Sequence, residues 1–143
     1  MARMTGNDTI RVDGLKELNS ALKEYGGDFK GEMRRTLKNI ADFVAEDARG
    51  AASALGSTPA HVAPTIKASA GALFAGVSMS DPAAAGAEYG GRRRPTTQQF
   101  QPWRGNGEDA GYFLWPTVRR DAADIEEEAK AGIDRLIKKA GLA

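Results

Sequence analysis

The residues best suited to recognition chemistry lie in one connection, residues 91–110, which we call the basic loop. Arginine guanidinium groups pair bidentately with carboxylates and phosphates, and Arg and Trp are enriched in interface hot spots. A connection this long with little periodicity is usually functional or disordered. Its arginines and large aromatic residues are Arg92, Arg93, Arg94, Phe100, Trp103 and Arg104.

Acidic residues at the start of the C-terminal helix carry the charge opposite to that of the basic loop. In a ring, one subunit's basic loop would contact the next subunit's acidic helix, the head-to-tail contact that cyclic symmetry requires. The carboxylates are Asp121, Asp124, Glu126, Glu127 and Glu128. This favours protein–protein contact. The alternative is a small nucleic-acid-binding module that uses Arg92–Arg94, Phe100 and Trp103, because basic residues interleaved with aromatic ones are typical of single-strand-binding surfaces.

The sequence offers little for catalysis. His61 is the only histidine, cysteine is absent, and no glycine-rich phosphate loop is present. Glu126, Glu127 and Glu128 are consecutive, so on a helix they point in different directions and do not converge on a metal. We therefore expect no enzyme activity, no catalytic or metal-binding residues and no cofactor. A third hypothesis is a small regulatory or toxin–antitoxin-type helical protein, or an enzyme without a recognisable motif.

Composition places the chain among globular proteins and bounds its partners. Its 143 residues suffice for one domain with a real core. The net charge of +1 provides no global field to attract nucleic acid or a membrane. The absence of cysteine favours a reducing compartment, and neither a signal peptide nor an apolar run of membrane length is evident. We expect a protein of the cytoplasm, or of an assembly formed there.

The hydrophobic periodicity predicts an α+β fold in a single domain, 1–143, with parts 9–90, 91–110 and 111–143. Two long amphipathic helices and a short N-terminal helix are expected to pack on a small, mostly antiparallel sheet. Residues 1–8 are expected to be frayed, and residues 50–59 to loosen into a breaker. The predicted strands are 9–13, 62–69 and 73–80. Pro64 makes the strand at 62–69 either an edge strand or one that starts late, after the proline. The predicted helices are 15–25, 29–55, a turn at 83–87, and 116–139.

A run of large apolar residues precedes the last helix. Tyr112, Phe113, Leu114 and Trp115 are too many for a solvated loop. Pro116 suits the first turn of a helix, where a missing N–H costs nothing. Phe113, Leu114, Trp115 and Pro116 are therefore predicted to be a core anchor for this helix.

This order of elements resembles a phage protein family. The most telling pieces are Gly14-Leu15-Lys16-Glu17-Leu18, Glu88-Tyr89-Gly90 and Phe113-Leu114-Trp115-Pro116. Over residues 9–140 the chain resembles the neck or tail-completion (head–tail joining) proteins of long-tailed bacteriophages, the tail-component family that includes lambda-type minor tail protein Z. It departs from the family where Gly56–Pro64 replaces a Thr-Gly-x-Leu, and in its longer basic loop.

The resemblance implies a non-enzymatic virion protein at the head–tail junction, assembled in the host cytoplasm. Such a protein forms a homo-oligomeric ring, with a hexamer favoured, around the DNA channel. Its neighbours would be the head–tail connector and the tail tube or terminator proteins, with genomic DNA close by and no membrane partner. The basic loop and the acidic helix start would then supply the subunit contacts.

Overall fold

The computed structural model describes residues 2–5, 9–12, 17, 20, 29–91, 100–139 and 141. Within them the protein is α+β, as predicted. The elements are β1 (Ala2–Thr5), β2 (Thr9–Val12), α1 (Phe29–Leu55), α2 (Ser57–Val62), a 3-10 turn (Ala63–Thr65), β3 (Ile66–Ala70), β4 (Ala75–Met79), α3 (Ala84–Tyr89) and α4 (Leu114–Lys139). The short N-terminal helix predicted at 15–25 lies mostly outside the described residues. In the part of the chain that is described, no helix is both long and apolar enough to cross a membrane.

The four strands form one sheet in the order β1-β2-β4-β3. β1 and β2 are antiparallel, with Ala2 opposite Val12, and β2 and β4 are antiparallel, with Ile10 opposite Ala75. The turn after β3 is closed by the N–H of Gly71, which donates to the carbonyl of Phe74 at 2.9 Å. The expectation that residues 1–8 are frayed was wrong for Ala2–Thr5, because pairing with β2 supplies partners for its backbone groups.

The segment predicted to loosen at 50–59 is mostly helical. α1 continues to Leu55, and α2 begins after Gly56, whose φ of 68° ends the first helix. Pro59 is compatible with α2 because it lies in the first turn, where its missing N–H breaks no helical bond. β3 starts only after the 3-10 turn that contains Pro64, which is the late start that the proline predicts.

The backbone divides into two compact units. Unit 1 comprises Met1–Phe43, Ala68–Val77 and Ala122–Ala143, and unit 2 comprises Val44–Lys67 and Ser78–Asp121. The single domain expected from the sequence stays a prediction.

In unit 1 the first half of α1 packs antiparallel against the second half of α4. The Arg135 guanidinium donates to Thr36 Oγ1 at 3.4 Å, and Lys139 forms an ion pair with Glu32 further along. The hydrogen bond from Lys139 holds the pKa of Glu32 below its ordinary value, against a smaller opposing effect of desolvation. The apolar side chains buried here include Met33, Leu37, Ile40, Ala41, Ile125, Ala129 and Leu136.

Gly132 explains how closely these helices approach. A Cβ at this position would overlap the side chain of Thr36. In isolation, replacing a mid-helix glycine with alanine favours the helix by about 1 kcal/mol. Here the close approach requires glycine.

We expect Gly132→Ala to destabilise the protein, by about 1–3 kcal/mol, because overpacking outweighs the gain in helix propensity. Urea unfolding followed by circular dichroism measures the change. Thr36→Ala removes Cγ2 and Oγ1, the two atoms that a new Cβ would approach most closely, and leaves the Cβ of residue 36 in place. Adding Gly132→Ala to the Thr36→Ala variant should therefore cost less stability than adding it to the parent. A Gly132→Ala variant that is more stable than the parent would contradict the close approach.

In unit 2 the buried apolar residues include small side chains of the second half of α1 as well as Phe113 and Leu114. Val44, Ala45, Ala48 and Ala52 are fully buried. Arg49 ties this helix to the start of β3, since its guanidinium donates to the carbonyl of Ile66 at 2.7 Å.

Candidate functional site

The start of α4 is capped by a buried carboxylate, that of Glu88. Glu88 lies near the end of α3 and is 1% exposed. Its Oε1 accepts the backbone N–H groups of Tyr112, Phe113 and Leu114 at 2.9, 2.9 and 3.1 Å, and its Oε2 accepts that of Trp115 at 2.7 Å. The first N–H groups of a helix lack intrahelical partners. One side chain therefore satisfies four donors and places a carboxyl at the positive end of the helix dipole.

Neighbouring residues fix this arrangement. Trp115 Nε1 donates to the hydroxyl of Tyr89 at 2.7 Å. Gly111 has a φ of 89°, and a Cβ there would lie 2.7 Å from Glu88 Oε2 and 2.8 Å from Trp115 Cβ. Glycine is therefore required at 111 by both conformation and space. We call residues 88–90 and 111–115 together the Glu88 junction.

Two opposing effects act on the Glu88 carboxyl. Burial raises its pKa above the ordinary value, because the ionised form loses its hydration. The four backbone N–H donors lower the pKa, but desolvation outweighs them. The group that holds the start of α4 is therefore one whose protonation is coupled to folding.

The described part of the basic loop, residues 100–110, is held along the end of α3 by backbone hydrogen bonds. The N–H of Gly91 donates to the carbonyl of Gln101 at 2.9 Å, and the N–H of Arg104 donates to that of Tyr89 at 2.6 Å. The segment then returns, since the N–H of Gly111 donates to the carbonyl of Arg104 at 2.7 Å. Residues 100–111 therefore form an ordered layer over the Glu88 junction.

The two aromatic residues of the basic loop occupy different positions. Phe100 is partly buried and covers Gly86 and Gly91, since a Cβ at Gly86 would overlap its ring. Trp103 is 56% exposed, and its ring centroid lies 6.3 Å from that of Tyr89 at a tilt of 42°. Of these two aromatic residues, Trp103 is the one that the fold presents to solvent.

Arg104 and Arg119 border an open surface depression of about 520 Å³, which we call the basic depression. Its other lining residues are Asp109, Gly111 and Pro116. Arg104 stacks on the ring of Tyr112, with Cζ 4.3 Å from the ring centroid, and Arg119 donates to the carbonyl of Ala110 at 2.9 Å. Both guanidinium groups are thus positioned by contacts within unit 2.

A second depression, of about 330 Å³, lies on the other side of Arg104, and we call it the Leu55 depression. Leu55, Pro59 and Tyr112 supply apolar surface to it, and Leu55 is 50% exposed. The hydroxyl of Tyr112 donates to the carbonyl of Pro102 at 2.6 Å, and Arg104 lines both depressions. A basic and an apolar surface therefore lie side by side.

The interface residues predicted from the sequence are only partly brought together. Arg92, Arg93 and Arg94 lie outside the described residues. Among the acidic residues, Asp121 is only 6% exposed, so little of its side chain is accessible to a partner. Asp124 and Glu127 are exposed, and Glu128 lies 3.4 Å from the Arg135 guanidinium. Their role as an interface stays a prediction.

The predicted core anchor divides into two pairs. Phe113 and Leu114 are fully buried. Trp115 and Pro116 are partly exposed, so the indole is neither a full core residue nor a free surface residue. Trp115 fits this intermediate place because its Nε1 has a polar partner in Tyr89.

The role of Glu88 as the cap of α4 was not predicted from the sequence, although its Glu-Tyr-Gly triplet was singled out as part of the family resemblance. Its partners follow 24–27 positions later, so no local pattern reveals the contact. The available signal was an acidic residue that follows a run of alanines, together with an isolated glycine before the apolar run at 112–115.

Outside the Glu88 junction and the basic depression, the ionisable side chains of the described residues form no cluster that would hold a ligand or a metal ion. His61 is exposed and its Nε2 lies 3.4 Å from Asp81 Oδ2. Within the described ranges, no group of three or more His, Cys, Asp or Glu residues is placed to hold a metal ion.

The chain was compared with family models, with curated proteins and with solved structures, and none of the three comparisons finds a match.

Proposed function

We propose that this chain is a structural virion protein of the phage head–tail junction, a neck or tail-completion protein that forms a ring joining connector to tail around the DNA channel. In this proposal the protein has no catalytic role and is assembled into particles in the host cytoplasm. Its two long amphipathic helices and its short N-terminal helix form the frame on which the subunit contacts are carried.

The observation that supports the proposal best is the Glu88 junction. The Glu-Tyr-Gly and Phe-Leu-x-Pro motifs, which carry the resemblance, are far apart in sequence but adjoin through the Glu88 carboxylate. Above this junction the layer of residues 100–111 presents Trp103 and Arg104 outward. An exposed Trp and Arg on a hydrogen-bonded base favour a protein-binding surface, because these residue types are enriched in hot spots where a partner excludes water.

Native mass spectrometry of the purified chain, alone and with candidate connector and tail neighbours, tests the proposal. We expect a closed ring, with a hexamer favoured, alone or on addition of a neighbour. Reversing Arg92, Arg93 and Arg94 together to glutamate should abolish the ring and leave the thermal unfolding of the monomer unchanged. A chain that stays monomeric with every neighbour would contradict the proposal.

The same protein preparation addresses the nucleic-acid alternative. A nucleic-acid-binding module would bind free DNA or RNA at low salt, with an affinity that falls steeply as salt rises. The packing of Phe100 over Gly86 does not favour this alternative, because a covered ring face is not available for stacking a base. Steeply salt-dependent binding by a chain that forms no ring would favour the module over the ring.

A further inference from the structure

We infer that the basic depression is a docking site for the acidic surface of α4 on a second copy of this chain, with Arg104 and Arg119 receiving Asp124 and Glu127. The inference rests on the proposed function in one respect, that the chain associates with itself. It goes further in naming the two surfaces that meet.

The two guanidinium groups are held ready for a carboxylate. Arg104 is stacked on Tyr112, and its backbone N–H and carbonyl are hydrogen-bonded to Tyr89 and Gly111. Arg119 donates one N–H to the carbonyl of Ala110, which leaves its other donors for a ligand. A guanidinium fixed before binding loses less conformational freedom when the partner arrives.

The charge balance of the basic depression favours an anionic ligand. Arg104 and Arg119 contribute two positive charges and Asp109 one negative charge. Asp109 therefore opposes an acidic partner without neutralising the site. This gives the site a residue whose removal should strengthen binding, in contrast to the two arginines.

The acidic surface of α4 has the complementary charge and a suitable shape. Asp124 and Glu127 are both exposed and are three positions apart, so they lie on one side of the helix. The exposed side chains of Ala122 and Ala123 are small, which allows another chain to approach this part of the helix closely. Two carboxylates on one side of a helix match two arginines at one depression.

The charge complementarity favours a second copy as the occupant, because both surfaces belong to the same chain. A closed ring needs a head-to-tail contact between two different patches of each subunit, and these patches carry opposite charge. The Leu55 depression lies beside the basic one and offers apolar surface to the same partner. A phosphate backbone would use the arginines but would gain little from Leu55 and Pro59.

The test is a charge exchange between two variants of the full chain. The site variant carries Arg104→Glu and Arg119→Glu, and the helix variant carries Asp124→Lys and Glu127→Lys. We expect each alone to associate about tenfold or more weakly than the parent. In a 1:1 mixture every contact between unlike variants again pairs opposite charges, so association should return. Analytical ultracentrifugation at several concentrations and native mass spectrometry measure both effects.

The matched control carries Arg34→Glu and Lys67→Glu, two exposed residues outside the basic depression, so it changes the net charge by the same amount as the site variant. It should associate like the parent and should not respond to the helix variant. Asp109→Asn keeps both arginine contacts and should associate more tightly. That opposite shift supports the inference even if the site variant proves to be less stable.

The failures of the two proposals are distinguishable. If the parent forms rings and the site variant forms them equally well, the docking surface is wrong and the ring proposal stands. If both variants are monomeric but their mixture does not associate, the two surfaces do not meet. If the parent is monomeric under all conditions, both proposals fail. If the parent binds DNA and the site variant does not, the ligand of the depression is a phosphate.

Discussion

Replacing Glu88 with alanine is expected to lower the free energy of unfolding by about 3–5 kcal/mol, because it leaves backbone donors at the start of α4 without their acceptor in a buried place. Two of these donors, the N–H groups of Phe113 and Leu114, belong to fully buried residues. Water cannot replace the carboxylate there without opening the core. Urea unfolding followed by circular dichroism at 222 nm, a helix band, measures the loss.

Glu46→Ala is the matched control, since Glu46 is exposed on α1. It should change stability by less than about 0.5 kcal/mol. Glu88→Gln keeps the side-chain shape but turns an NH2 group towards one or more of the donors, so we expect a loss between those of the control and the alanine variant. A Glu88→Ala protein as stable as the Glu46→Ala control would show that the junction does not hold α4.

The pH dependence of the Glu88 contribution follows from the direction of its pKa shift. A raised pKa means that the folded state binds the proton more tightly than the unfolded state does. The contribution to stability is then fully present below the ordinary value of 4.5 and decreases as pH rises through the folded pKa. The margin of the parent over Glu88→Gln should therefore shrink as pH rises from acid to neutral. A margin that grows would mean that the N–H donors outweigh desolvation.

Phe113→Ala is the second variant with a large expected effect, a loss of about 3–5 kcal/mol of unfolding free energy. Phe113 is fully buried and among the largest such side chains in the described part of the chain. Its removal leaves a cavity directly behind the first turn of α4. The same substitution at Phe74, which is 39% exposed, should cost less, because a large part of its surface stays in water in the folded protein.

Denaturant unfolding of the two phenylalanine variants side by side checks this difference. Equal losses at the two positions would contradict the burial of Phe113. Trp115→Ala should fall between them, because the indole is partly exposed and its hydrogen bond to Tyr89 is lost. Trp115 was predicted as part of a core anchor, and its partial exposure means that the loss typical of a fully buried aromatic residue does not apply to it.

The long helices were predictable because their signal is local. Apolar residues recur every three or four positions from Phe29, and α1 spans Phe29–Leu55. The last helix was expected from Pro116 and begins at Leu114, two residues earlier, since the Glu88 carboxylate supplies acceptors for its first N–H groups. That shift depends on a residue distant in sequence, so the helix pattern alone does not contain it.

The elements that were missed depend on tertiary context. β1, with the sequence Ala-Arg-Met-Thr, has too few apolar residues to show an alternation, and its partner β2 determines its state. α2 was interpreted as a breaker because Gly56 and Pro59 are both punctuating residues. A glycine that ends one helix and a proline in the first turn of the next helix are the same residue types that mark a loop, so composition does not distinguish the two cases.

The candidate site was predictable in residue type but not in arrangement. Arg104 and Trp103 were singled out because of their chemistry, and both are exposed in the structure. Arg119 was not singled out. It lines the basic depression together with Arg104 although the two are distant in sequence, and a contact of that range shows in no local pattern.

The hydrogen bond between Gly91 and Gln101 has a consequence for protein engineering. It joins Gly91 to Gln101, on either side of residues 92–99, so the two points at which the chain leaves and rejoins the described part of the fold are held together. The entropic cost of closing a loop rises by only about 0.6 kcal/mol for each doubling of its length. Additional residues between Gly91 and Phe100 are therefore expected to cost the described part of the fold little stability.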